Sequence, residues 1–219
     1  MALRGIGPGY RVARLLAATP EVSLSEATAL AAGGGRRYVR TTGRISSDEE
    51  FPDEHDRPLV YRRTRVEVGD DRGGWRVVAD DREAVPFGVE ARSQFIAVDS
   101  GELDSGLVVM PRESVGKAAD LPPDLAQGLD PTAAARLLIR QVSAVEHAVV
   151  CGVPVAGPDG RPLLTAGSGR PLILSTLDSP AAMRILAGRR RPLAILGAGL
   201  LVASVASFAA ALVAFIGGN

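Results

Sequence analysis

Residues 193–216, LAILGAGLLVASVASFAAALVAFI, carry no charged side chain, and Ser204 and Ser207 are their only polar ones. As a helix rising ~1.5 Å per residue, a run of this length spans about 36 Å, enough for the ~30 Å hydrocarbon layer of a bilayer. A globular helix this long needs a polar face, and no helical spacing supplies one here. The run therefore predicts a C-terminal transmembrane helix. Arg189, Arg190 and Arg191 stand directly before it and nothing charged follows, so the positive-inside rule places the preceding chain in the cytoplasm. The expectation is a single-pass, tail-anchored protein of the cell membrane. Gly199, Ala203, Ser207 and Ala211 recur every four residues and line one helix face. Small residues at that spacing let two helices approach closely, although an Ala-rich span also produces such a stripe by chance.

The remaining residues must then fold outside the bilayer. Lys plus Arg equals Asp plus Glu, 25 each, which disfavours nucleic acid as the partner, because binders of phosphate backbones carry excess cations. Lys117 is the sole lysine, so nearly all of the positive charge is arginine. Cys151 is the only cysteine, which excludes an intramolecular disulfide and a Cys-rich zinc site. Residues 1–18 contain Arg4, Arg11 and Arg14 but no apolar core of signal-peptide length. Three parts follow: an N-terminal segment (1–18), a β-rich domain (19–188), and a basic flank with its membrane anchor (189–219).

Within the middle part, LSEATALAA (24–32) predicts a short helix, with Ser23 or Ser25 as N-cap and Gly33–Gly35 as terminator. RYVRTTGRI (37–45) is rich in strand-favouring residues. PLVYRRTRVEV (58–68) alternates, with Tyr61, Arg63 and Arg65 on one face and Arg62, Thr64 and Val66 on the other. Turn chemistry at 70–74 and the strand WRVVAD complete a hairpin. Further strands are expected in VPFGVEARSQFIAVD and GLVVMP, followed by a proline-rich connector with a helical turn after Pro131. Residues 136–155 begin helix-like and turn strand-like from Val142, residues 157–160 carry a strong turn signal, and RPLLTAG and PLILST after it read as a second hairpin-like set. No βαβ alternation is visible. The fold class expected is mainly β, a small OB-like barrel or sandwich of short strands with a few short helices, plus the C-terminal transmembrane helix.

Sites for chemistry are few. His147 and Cys151 lie four apart in a predicted strand, which separates them by about 13 Å, too far for a nucleophile–base pair. The acidic loop 46–58 places six carboxylates around His55, but their order matches no EF-hand and the required glycine is missing. This loop is expected to fold against the arginine-rich hairpin through exposed pairs worth under ~1 kcal/mol each. Tyr61 and Trp75 are expected as a cross-strand pair packed in the core rather than as a base-stacking platform.

RPLVYRRTRVEV followed by GGWRVV, VPFGVE, RQVSAVEHAVVCGVPV and PLILST, then a short helix and an apolar span, resembles the GIDE domain. That domain is the membrane-adjacent module of mitochondrial and chloroplast-envelope ubiquitin ligases, with RING-free relatives in prokaryotes. The resemblance runs from about Thr19 to the last residue and brings out Tyr61, Trp75, Glu146, Gly152 and Ser175 as signature positions of unknown role. One cysteine and two histidines leave no RING, so ligase activity does not carry over. The function implied is non-enzymatic: a cytoplasmic module at the membrane that binds a protein partner or assembles with itself, without a cofactor. Its contact surface is expected around Arg62, Arg63 and Arg65, with membrane lipid as the other partner. The alternatives are a membrane-tethered hydrolase with a carboxylate/His metal site, and an OB-like nucleic-acid-binding module.

Overall fold

The computed structural model describes residues 7–70, 73–177, 181–182 and 185–186. Its elements in chain order are α1 (Gly7–Ala18), α2 (Leu24–Ala32), β1 (Val39–Ser46), β2 (Phe51–Pro52), β3 (Pro58–Gly69), β4 (Trp75–Ala84), β5 (Gly88–Ala91), β6 (Gln94–Val98), β7 (Leu107–Val108), β8 (Arg112–Lys117), α3 (Pro123–Ala126), β9 (Ala134–Ser143), β10 (His147–Ala156), β11 (Pro162–Thr165) and β12 (Ile173–Ser175).

β1, β5, β6, β11 and β10 pair in that order, and β1 pairs again with β10, which closes a five-stranded barrel. Counted along the chain, the barrel strands follow the circular order first, second, third, fifth, fourth. The third and fifth, β6 and β11, are the parallel pair. This is a Greek-key barrel, the class to which OB-folds belong. β12 continues the sheet beside the N-terminal half of β10 and pairs in parallel with β7. The core is aliphatic, with Val39, Ile45, Val89, Ile96, Val150, Leu164 and Leu174 buried in one cluster. α2 packs on β1, β6, β10 and β11 and sends Leu24 and Ala27 into that cluster. Its start is fixed by the Ser23 side chain, which accepts from the Glu26 amide. α1 packs Val12 and Leu16 against Tyr38, Cys151 and Ile173 in a second cluster.

The two long connections of the barrel carry a second, open sheet. β3 and β4 lie between the first and second barrel strands, and β8 and β9 lie between the third and fourth. They combine as β4–β3–β9–β8, with β2 beside the start of β3. The predicted alternation of β3 breaks at its root, where Leu59, Val60 and Tyr61 are all buried. The register against β9 shifts between Leu59 and Tyr61, so the strand turns out of the barrel there and both of its faces meet core.

Four sequence expectations are corrected. The C-terminal transmembrane helix is not part of the fold described: among the described residues no helix is long and apolar enough to cross a membrane. The longest, α1, has 12 residues, or about 18 Å, and carries Arg11 and Arg14. Residues 193–216, including Gly199, Ala203, Ser207 and Ala211, lie outside the described residues, as do Arg189, Arg190 and Arg191. Residues 136–141 are not helical but form the middle of β9, because β3 and β8 pair along both of its edges and override local propensity. The helical turn of the connector falls at α3, before Pro131 rather than after it. β11 and β12 are not a hairpin; each pairs separately with β10, which is long enough to serve both.

Candidate functional site

The second sheet concentrates the charged residues. Arg63 is buried, its side chain only 6% exposed. Its Nε and Nη2 donate to Asp80 Oδ1 and Oδ2, both at 2.7 Å, and Nη1 donates to Asp104. The bidentate fork is the strongest geometry a guanidinium offers a carboxylate. Arg65 Nη2 donates to the same Asp80 Oδ2 at 2.8 Å. One step along β3, Glu67 is held by Arg136, whose Nε donates to Oε2 at 2.6 Å, and Arg136 also lies 3.6 Å from Glu113. Arg63, Arg65, Glu67, Leu138 and Arg140 line a small cavity of about 60 Å³ within this network.

The electrostatics follow from the pairing. Arg63, and then Arg65, hold the Asp80 carboxyl well below the usual carboxylate range, and Arg63 likewise lowers Asp104. The same bonds raise Arg63. A depressed folded-state pKa contributes stability above the unfolded value of ~3.9, and that contribution is lost as pH falls through the folded value. Urea midpoints are therefore expected to hold level from about pH 7 to 5 and to drop below about pH 4. In Asp80→Asn the plateau is lower and the acid fall shallower; equal acid slopes in the two proteins would refute the linkage.

The predicted contact residues are all engaged. Arg62 bonds Glu83 and lies 5.3 Å over the Phe51 ring, while Arg63 and Arg65 share Asp80. These guanidiniums are neutralised in place, which makes them poor phosphate ligands. Of the arginines at 57–76 expected to hold the acidic loop, Arg57 does so, whereas Arg62, Arg63 and Arg65 pair with Glu83, Asp80 and Asp104 instead. Asp53 turns inward to Arg57, with Arg57 Nε donating at 2.7 Å, and Glu54 pairs with Arg112 of β8. The hairpin's own returning strand supplies Asp80 and Glu83 at shorter range, so the loop carboxylates find other partners. Arg57 holds Asp53 far below its ordinary value. His55 is exposed and 3.6 Å from Glu54. No group of three or more His, Cys, Asp or Glu suited to a metal occurs among the described residues.

Tyr61 and Trp75 are not a core pair. The hairpin register puts Tyr61 opposite Ala84 at the root and Trp75 opposite Gly69 at the tip, about 26 Å apart along the strand. Tyr61 is buried and donates its hydroxyl to the Leu103 carbonyl at 3.1 Å. Trp75 is 40% exposed, and the Arg136 guanidinium stacks 4.1 Å from its ring centre. Glu146, Ser175 and Gly152, the other positions singled out by the resemblance, make local backbone contacts. The Glu146 carboxylate accepts from the Ser143 amide at 3.3 Å, and Ser175, buried, bonds both backbone groups of Leu177. A side chain at Gly152 would put its Cβ 2.9 Å from the Thr165 carbonyl oxygen, so the close approach of β10 and β11 requires glycine there. Cys151 is fully buried, and burial pushes its thiol up to about 12, so no thiolate forms at neutral pH.

Sequence reasoning missed Asp80, Asp104, Glu67 and Arg136. A faint signal existed: arginines at 63 and 65 face the acidic ADDRE run on the returning strand once a hairpin is drawn. Compared with protein-family models and with curated proteins, the chain shows no match.

Proposed function

We propose that this protein is a non-enzymatic binding module whose contact surface is the outer end of the β4–β3–β9–β8 face, and whose ligand is a protein segment with apolar and acidic side chains. The observation that carries the reading is a cross-strand row. Val77 lies opposite Glu67, Glu67 opposite Arg136, and Arg136 opposite Val115. Val77 is 45% and Val115 71% exposed, and Trp75 stands beside them under Arg136. Gly69 and Ala134 next to Trp75 leave the neighbouring row shallow. Trp and Arg anchors ringed by apolar side chains are the composition of interface hot spots. Every guanidinium in the β3 part of the face is already positioned by a carboxylate, so little side-chain entropy remains to be lost on docking. The GIDE-like order of motifs supports the same reading.

Trp75 is the only tryptophan, so its emission reports on this surface alone. Peptides selected from a displayed library against the full chain are expected to shift that emission. They should bind Val115→Asp and Trp75→Ala at least about tenfold more weakly, as hot-spot truncations do. Concentration-dependent self-association abolished by Val115→Asp would identify a second copy as the partner. Selected peptides that leave Trp75 emission unchanged and bind Val115→Asp equally well would overturn the proposal.

A further inference from the structure

We infer that the cleft between α1 and the 167–170 turn binds a phosphorylated ligand through its phosphate oxygens. The cleft encloses about 520 Å³ and is lined by Arg11, Arg14 and Arg170, with Thr19, Pro20 and Ser168 among its other walls. That volume is within the range of small-molecule sites, about 300–1,000 Å³. No carboxylate stands among the described residues lining it. In a chain whose charges sum to zero, three arginines with no carboxylate among the described lining residues mark a local field of one sign.

Among the described residues, the first two carboxylates after α1 are already committed. Glu21 pairs with Arg40 at 2.8 Å and Glu26 with Arg37 at 3.8 Å. The C-terminal end of α1, a source of negative partial charge, is also covered. The Leu15 carbonyl accepts from the Thr19 amide and hydroxyl, and the Leu16 carbonyl accepts from Arg40.

Two of the three guanidiniums are held in place. Gly167 and Arg170 exchange backbone hydrogen bonds at 3.1 and 2.9 Å around Ser168 and Gly169, both in the left-handed region at φ 54 and 67. This is a tight two-residue turn. Arg170 leaves it to lie 5.2 Å over the Tyr38 ring, and Tyr38 is itself fixed by donating to the Pro171 carbonyl at 2.7 Å. Arg11 donates to the Gly169 carbonyl, tying α1 to the turn. Arg14, three residues along the same helix face, has no carboxylate partner among the described residues. A planar fork matches phosphate oxygens two at a time, and three forks around one cleft suit a ligand carrying phosphate.

The test titrates the full chain with inorganic pyrophosphate by calorimetry and, separately, sediments it with phosphatidylcholine vesicles with and without phosphatidic acid. Saturable binding is expected in at least one arm. Pyrophosphate binding assigns the cleft to a soluble ligand, and phosphatidic-acid dependence without it assigns the cleft to a lipid headgroup. Arg14→Gln should weaken the interaction about tenfold, the loss expected for a charge-assisted contact, and Arg14→Gln with Arg170→Gln should abolish it. Both side chains are exposed, and far-UV dichroism should stay unchanged. Arg161→Gln removes an exposed arginine paired with Asp159 elsewhere and should bind as the parent does. Failure of both probes to bind, or an equal loss in Arg161→Gln, overturns the inference.

Discussion

Replacing Arg63 with alanine is expected to destabilise the protein by about 3 kcal/mol, while the same change at Arg62, its neighbour in the chain, costs under ~1 kcal/mol. Both arginines sit on β3 and both pair with carboxylates of β4 or its surroundings. Burial separates them. The Arg63 side chain is 6% exposed and that of Arg62 33%. Removing Arg63 leaves Asp80, 28% exposed, without its bidentate partner, and leaves Asp104 without its shortest contact. Asp80 keeps only the single Arg65 bond in a largely buried site, and an ionised carboxylate that loses its bidentate partner there carries much of the penalty of a broken buried pair. Removing Arg62 leaves Glu83 at the edge of the sheet, 51% exposed, where water replaces the lost bond. Arg63→Lys keeps the charge but not the planar fork and should fall between the two. Urea midpoints of the three variants check the order; equal losses at 62 and 63 would mean that the network around Asp80 is not formed.

The second large effect is steric. A Cβ at Gly106 would lie 1.9 Å from the Leu172 carbonyl oxygen, 2.8 Å from its carbon and 3.0 Å from Ile173 Cα. These are backbone atoms, so no rotamer change relieves the clash. The Gly106 carbonyl accepts from the Leu174 amide at 3.0 Å, and the β7–β12 ladder begins at the next residue. Any shift that admits a methyl group pulls this ladder apart and disturbs Leu172 and Leu174, both fully buried. Gly106→Ala is expected to cost about 3 kcal/mol or more, lowering the melting temperature by roughly 10 °C. Gly101 in the same loop offers a control. Its added Cβ comes only within 3.4 Å of the Asp99 carboxylate, and Gly101→Ala should change stability by less than about 0.5 kcal/mol. Calorimetric melting of the two variants decides the matter; a Gly106→Ala protein that melts with the parent would show that β7 does not pack on β12.

The two effects differ in how visible they are before folding. The charge pattern of β3 and the acidic run of β4 are local, separated by only a short connection, and a hairpin drawn from the sequence already brings them together. The burial of Arg63 is not local. It comes from Asp104, which reaches the site from the connection after β6, and from β9, which covers the far edge of β3. Trp75 shows the reverse. Its size suggested a core residue, but the register of a hairpin is counted from its turn, and that count leaves it at the tip opposite Gly69. The GIDE resemblance and the binding role remain proposals resting on motif order and on this surface.

Local chemistry alone determined the helix at 24–32, the β3–β4 hairpin, the strand-rich character of the chain and the placement of His147 and Cys151 along one strand. Each depends on side-chain alternation, caps or turns within a dozen residues, where propensity and periodicity act directly. Tertiary structure decided the closure of β1 on β10, the assembly of the second sheet from two distant insertions, the conversion of 136–141 from a helical pattern to a strand, and the gathering of Arg11, Arg14 and Arg170 in one cleft. Those pairings join residues up to a hundred or more positions apart. Their free energy comes from the backbone bonds and apolar area gained when the strands meet, which no local stretch of sequence contains.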